Sequence, residues 1–296
     1  MHTKRLLEYF KYLFLKVRFF VSLKSFPGDI KNSYKNWIYF AILKSKYKRF
    51  LQSYRAVLNE KHEYSDFVWW LWFQGEQNAP EICKSCLHSL RKNYPEKKIV
   101  ILSNENINDY VDFPDFIIEK RKQGFISDAH FSDLLRLQLL IKYGGTWIDS
   151  TVYFTNRFPY ACGIPLFVFK NNERADPSCA CSSWFISAEK NNPILILTQN
   201  LLFDYWKHNK HLFHYFLFHF FLTMASEKYS EEWNAIPFFS NLPSHILQRE
   251  MLNRFSEKRF SQIKAISDVH KLSYKYDNKI NIKDSFLDHI LENEKQ

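Results

Sequence analysis

The chain has 296 residues, 46% of them hydrophobic and 18% aromatic, with only 6 glycines. That is enough apolar mass for one sizeable core, and it excludes collagen-like and low-complexity chains. The formal charge of +10 sits at one end, because residues 1–55 hold 13 Lys and Arg against Glu8 and Asp29 while the remainder is close to neutral.

A localised basic segment calls for an anionic partner, either a membrane surface or a nucleic acid. Leu6, Leu7, Phe10, Leu13, Phe14, Val17 and Phe20 recur at helical spacing among lysines and arginines, and Pro27-Gly28-Asp29 breaks the pattern. A second basic, aromatic helix is expected from about Tyr34 to Val57. Residues 1–60 therefore read as a basic amphipathic helical segment. It either lies on anionic lipid or packs on the domain with its lysines solvated; the charge asymmetry favours the membrane. No nucleic-acid partner is expected, since the near-neutral remainder carries no nucleic-acid-binding motif. The start lacks a signal-peptide pattern, and no run reaches the roughly 20 apolar residues of a membrane span. Cys83, Cys86, Cys162, Cys179 and Cys181 are odd in number and irregular in spacing, which fits reduced thiols in a cytoplasm.

Residues 61–296 change texture. Asp66–Phe73 reads as a buried strand, Pro80–Asn93 as a helix and Lys98–Leu102 as a second strand, the opening of a doubly wound α/β domain. Asp115–Ile118 reads as a further strand. Ser127–Tyr143 is a helix stopped by Gly144-Gly145 in a left-handed cap, and Thr146–Tyr153 is the strand that follows. Leu166–Phe169 and Ser183–Ser187 are strands; Asn192–Lys207 and His211–Ser226 are helices.

The stretch that carries chemistry is Ser132–Thr151, SDLLRLQLLIKYGGTWIDST. Asp133 and Arg136 are three residues apart on one helix and share a face. Trp147 and Asp149 share a face of the next strand, with Asp149 near its carboxyl end, where open α/β sheets bind ligands. A carboxylate there can hold sugar hydroxyls or a metal that bridges a diphosphate. An isolated Asp–Arg pair would be an ordinary structural pair; the whole string is more specific.

This string resembles the signature of glycosyltransferases with a sugar-binding D-x-D region, and more closely that of bacterial capsular polysaccharide synthesis proteins, in which D-x-T replaces D-x-D. Trp69–Pro80, Ile126–Phe131, Trp184–Ser187 with Asn192-Pro193, Tyr215-Phe216 with His219, and His270–Lys275 resemble other segments of that family, in register over residues 67–275. The resemblance implies an α/β fold of GT-A type with a mixed central sheet. It implies transfer of a hexose or related sugar, with retention, from a nucleotide-diphosphate sugar to a lipid-linked or oligosaccharide acceptor at the inner face of the cytoplasmic membrane. Trp72, Gln74 and Gly75 would face the nucleotide. Asp133 and Arg136 would contact the sugar and phosphates, and Asp149 and Thr151 the sugar or ribose. Mn²⁺ or Mg²⁺ would bind through Asp149, the diphosphate and a group such as His245 or Asn241. Thr151 is a weak ligand in place of a second Asp, so cationic side chains could stand in for the metal. Glu173, Asp176, Glu231 and Glu232 are candidate bases should one be needed, and Trp233, Phe238 and Phe239 a candidate sugar platform. Competing readings are a nucleotide-sugar hydrolase and a non-catalytic membrane- or nucleic-acid-binding module.

Overall fold

In the computed structural model, which describes residues 28–55, 62–171, 176–277 and 280–293, the strands are β1 (Phe67–Leu71), β2 (Lys98–Leu102), β3 (Gly145–Ile148), β4 (Val152–Phe154), β5 (Leu166–Lys170), β6 (Cys181–Ala188) and β7 (Val269–Lys271). Five of them form a mixed sheet in the order β2-β1-β3-β6-β5, while β4 and β7 pair antiparallel as a separate ribbon. β1, β2 and β3 are mutually parallel, and β6 runs against both of its neighbours. The protein is thus α/β with a mixed central sheet.

The helices are α1 (Gly28–Ser53), α2 (Glu81–Asn93), α3 (Ile107–Tyr110), α4 (Asp115–Lys122), α5 (Asp128–Tyr143), α6 (Pro193–His208), α7 (Leu217–Lys228), α8 (Ser230–Ala235), α9 (Ile246–Glu250), α10 (Glu257–Ile266) and α11 (Phe286–Asn293). Alternation along β1 sends Trp69 and Leu71 into one apolar layer and Val68 and Trp70 into another. The first layer is completed by Leu134, Leu135 and Leu139 of α5, Leu201 of α6 and Phe220 and Phe221 of α7. The second is completed by Ile82 and Leu90 of α2, Ile263 of α10 and Leu287 of α11. α1 joins the first layer. Its Phe40, Leu43 and Tyr47 are buried, with Phe40 5.8 Å from Phe220 and Tyr47 4.9 Å from Phe221 between ring centroids. The expected helix over residues 6–20 lies outside the described residues.

Most expected elements form where the pattern places them, with four corrections. Residues 115–118 belong to helix α4 and not to a strand. Pro114 presets the entry backbone, Asp115 favours the amino end, and Lys120, Arg121 and Lys122 favour the carboxyl end. The single strand expected over 146–153 is two, because a turn intervenes in which the Val152 N–H donates to the Asp149 carbonyl at 3.0 Å. Gly144 ends α5 with φ 68° and ψ −159°, a mirror-extended conformation and not the left-handed helical cap. The helix expected from His211 starts only at Leu217; before it the His214 ring accepts the Phe216 N–H at 3.1 Å and holds a local turn instead.

Candidate active site

Chain segments far apart in sequence meet beyond the carboxyl ends of β1 and β3, the position at which open α/β sheets bind ligands. β1 runs out into Trp72 and Gln74, β3 into Asp149 and Thr151, α5 contributes Asp133 and Arg136, and β7 contributes Lys271. Together they line a cleft of about 450 Å³, within the range of small-molecule sites.

Asp149 is the hub. Its Oδ1 accepts the Trp147 indole N–H at 2.8 Å and lies 3.7 Å from Nη2 of Arg136. Its Oδ2 accepts from Nζ of Lys271 at 3.1 Å. Burial alone would push this carboxyl up. The charges of Lys271 and then Arg136, with the indole N–H, outweigh it and hold Asp149 below the ordinary carboxylate range. Lys271 also donates to the Thr151 hydroxyl. The β4–β7 ribbon sets this register: Val152 faces Lys271, and the Leu272 N–H donates to the Thr151 carbonyl at 2.8 Å.

Arg136 is only 4% exposed. Nη1 donates to the Ser183 carbonyl at 2.5 Å, Nη2 reaches the Ser132 hydroxyl and the Asp133 carboxylate, each at 3.2 Å, and Nε donates to the Ser132 carbonyl at 3.3 Å. Its plane lies over the Trp147 ring at 4.9 Å. The guanidinium is therefore held by protein acceptors on nearly every side and braces the two carboxylates. Lys271 keeps a fifth of its side chain exposed and is the more available cation. Asp133 sits between Arg136 and His130, whose Nδ1 is 3.6 Å away. Trp72 meets Tyr274 edge-on at 5.4 Å, giving the cleft an aromatic border. His219, at the cleft wall, is half-buried, its buried Nδ1 has no hydrogen-bond partner among the described residues, and desolvation lowers its pKa to about 4, so it stays neutral near pH 7.

Of the residues singled out in the sequence, Trp72, Gln74, Asp133, Arg136, Asp149 and Thr151 line one cleft. Gly75 does not line it. Its positive φ of 84° closes the preceding loop, its N–H donating to the Trp72 carbonyl at 2.9 Å. His245 feels the charge of Lys271 but does not line the cleft. Its Nε2 lies 3.2 Å from Asn241 Oδ1 and its Nδ1 2.8 Å from Gln248 Oε1. Asn241 also accepts the Trp184 indole N–H at 3.0 Å. Among the described residues no three His, Cys, Asp or Glu side chains gather as a metal site. One carboxylate already engaged by two cations, beside a neutral hydroxyl, is a poor donor set for Mn²⁺ or Mg²⁺.

The other candidates lie elsewhere. Asp176 binds Ser178 and the Asn36 amide of α1, Trp233 is in the core, and Phe239 packs on Phe158 at 5.2 Å. Glu231 and Glu232 do not line the cleft, and Glu173 lies outside the described residues. All five cysteines are free, and burial raises the Cys83 thiol to about 11, which leaves it inert. Sequence reasoning assigned no role to Lys271. It lies inside the His270–Lys275 segment, but only strand pairing reveals its partners. A second depression at the opposite end of the sheet, lined by Tyr64, Asp66 and Lys97, spends its charges on an Asp66–Lys97 pair and gathers no comparable set.

These features define an α/β protein with a charged, aromatic-edged cleft at its strand ends. Residues 22–290 match the capsular polysaccharide synthesis protein family, and the chain belongs to that family. A curated relative, the O-glycosyltransferase braB of Annulohypoxylon truncatum, is 31% identical over 109 residues, covering 34% of this chain. The chain spans only 25% of that relative's length. The solved PaToxG glycosyltransferase superposes on 78% of this chain and 87% of its own at 15% identity, with a TM-score of 0.40, too loose a match to define a fold.

Proposed function

We propose that the protein is a glycosyltransferase of GT-A type that moves a sugar, with retention, from a nucleotide-diphosphate sugar to a hydroxyl of a growing surface polysaccharide. A hexose donor and a lipid-linked or oligosaccharide acceptor fit this reading. The observation that carries it is the convergence of Asp133, Arg136, Asp149 and Lys271 on one cleft bordered by Trp72 and Tyr274. Carboxylates there can grip sugar hydroxyls, and cations can offset the charge that develops on a leaving diphosphate. Family membership and the O-glycosyltransferase relative support the same chemistry.

The test is the melting temperature of the full chain against a panel of nucleotide sugars and free nucleoside diphosphates, paired with transfer of labelled sugar to a lipid-linked acceptor. One nucleotide class is expected to stabilise the fold by about 2–3 kcal/mol at a hundredfold excess over its Kd. Asp133→Ala is expected to remove that shift while the variant still melts cooperatively. A folded sample that shows neither shift nor transfer sinks the reading. Release of free sugar at a rate independent of acceptor would make the protein a hydrolase.

Residues 1–60 are proposed to rest on the anionic inner face of the cytoplasmic membrane. Along α1, away from the buried Phe40, Leu43 and Tyr47, Tyr34 and Trp37 near one end and Lys48 and Arg49 near the other are exposed, an aromatic and basic surface suited to lipid headgroups. None of the described helices is long and apolar enough to cross a membrane. The chain is expected to sediment with phosphatidylglycerol vesicles, to ignore phosphatidylcholine vesicles, and to lose binding as salt rises. Equal recovery with both lipids would remove the membrane from the account.

A further inference from the structure

We infer that the Lys271 ammonium takes the place of a divalent metal in this cleft, so that the nucleoside diphosphate of the donor binds without a metal ion. The inference rests on the glycosyltransferase reading above. Its first support is charge. A site with two carboxylates carries −2, and a bound divalent ion brings it to zero. Here Thr151 stands where a second carboxylate would be, so Asp149 alone supplies −1 and Lys271 restores neutrality with +1. A metal added to Asp149 and Lys271 would face a cation at hydrogen-bond distance from its own ligand, and like charges so close are strongly repulsive.

The second support is geometry. Nζ of Lys271 bonds to Asp149 Oδ2 and to the Thr151 hydroxyl, the two side chains that would flank a metal in a D-x-T motif. An ammonium has three N–H donors; two are used by these partners, which leaves one for a phosphate oxygen. Both Lys271 and Arg136 line the cleft, but four of the five N–H donors of Arg136 are engaged by Ser132, Asp133 and Ser183. Thr151 therefore acts as a neutral acceptor that orients the ammonium, a task for which a hydroxyl suffices.

In the transfer step, the bond between the sugar's anomeric carbon and the β-phosphate oxygen breaks, and its electron pair stays with the diphosphate. The acceptor hydroxyl oxygen bonds to that carbon, and its proton leaves with the departing diphosphate. Lys271 offsets the charge gained by the β-phosphate and undergoes no covalent change. A compact ammonium suits this role as a point charge.

Binding of UDP and GDP to the full chain, measured by calorimetry in EDTA and again in Mn²⁺, tests the inference. The expected result is one affinity in both buffers, weakened about 10- to 100-fold by Lys271→Met, the loss of one charge-assisted hydrogen bond. The double variant Thr151→Asp, Lys271→Met, which restores the paired carboxylates, should gain a Mn²⁺-dependent rise in melting temperature that the parent chain lacks. That variant keeps the question answerable if Lys271→Met alone folds poorly. Binding by the parent chain that disappears in EDTA and returns with Mn²⁺ overturns the role of Lys271 but leaves the transferase reading intact. No binding of either diphosphate in either buffer overturns both.

Discussion

Replacing Asp149 with Asn is expected to lower sugar transfer by about 10²- to 10³-fold, the usual effect of removing one electrostatic element from a preorganised site. The substitution keeps size and shape and removes one charge. Oδ1 can still accept the Trp147 indole N–H, seen at 2.8 Å. On the other side an amide NH₂ would face the Lys271 ammonium, so an acceptor 3.1 Å from Nζ becomes a donor. Lys271 would keep only Thr151, and Arg136 would keep Asp133 but lose the more distant carboxylate. Both cations would then lose part of the carboxylate that fixes their position in the cleft. Because the defect lies in charge placement, it should fall mainly on kcat, with KM for the donor changing less. Steady-state kinetics of the purified variant, alongside its melting curve, check this. Unchanged kcat in a folded Asp149→Asn protein would remove Asp149 from the centre of the chemistry.

The parts of this site that were legible in the sequence are those built from a single continuous stretch. α5, Gly144-Gly145 and β3 each carry a local signal: helical spacing, glycine and an apolar strand. They put Asp133, Arg136 and Asp149 in one place from the sequence alone. α2 and β2 were legible for the same reason. The turn at Asp149–Val152 was not, because Asp-Ser-Thr in the midst of apolar residues contains neither Gly nor Pro to mark a break, so β3 and β4 read as one strand. Lys271 was hidden for a different reason. Its contact with Asp149 spans 122 residues and depends on the β4–β7 register, which no periodicity encodes. His245 is a different case. A histidine at a helix start suggested a ligand, but Asn241 and Gln248 engage both ring nitrogens.

Gly145→Ala should destabilise the protein by about 3–5 kcal/mol, combining backbone strain with a steric clash. A Cβ at this position would stand 2.3 Å from the Phe67 carbonyl oxygen, and the backbone φ is 94°. The clash cannot be relieved by a side-chain rotation, because the obstacle is the main chain of β1 itself. Moving it would disturb the β1–β3 pairing that sets Val68 against Thr146 and Trp70 against Ile148. Gly75→Ala is the matched control. Its φ is similar at 84°, but nothing lies within 4 Å of the added carbon, so it should cost only about 1–2 kcal/mol, the strain alone. Urea denaturation of the two variants separates the contributions. Equal losses would mean that the close approach of Gly145 to β1 carries no energetic weight. Since β3 runs directly into Asp149, the loss at Gly145 should also reduce transfer at temperatures where the variant is still folded.

The pairing of β4 with β7 also fixes when during synthesis this cleft can exist. A ribosome adds roughly 5–20 residues per second, so the 122 residues between Asp149 and Lys271 take roughly 6–24 s to make. Throughout that interval the growing chain holds the helix, the glycine pair and both carboxylates, yet lacks the cation that completes them. β4 likewise waits without a partner strand until residues 269–271 emerge. The cleft described here is complete only after β7 has been made.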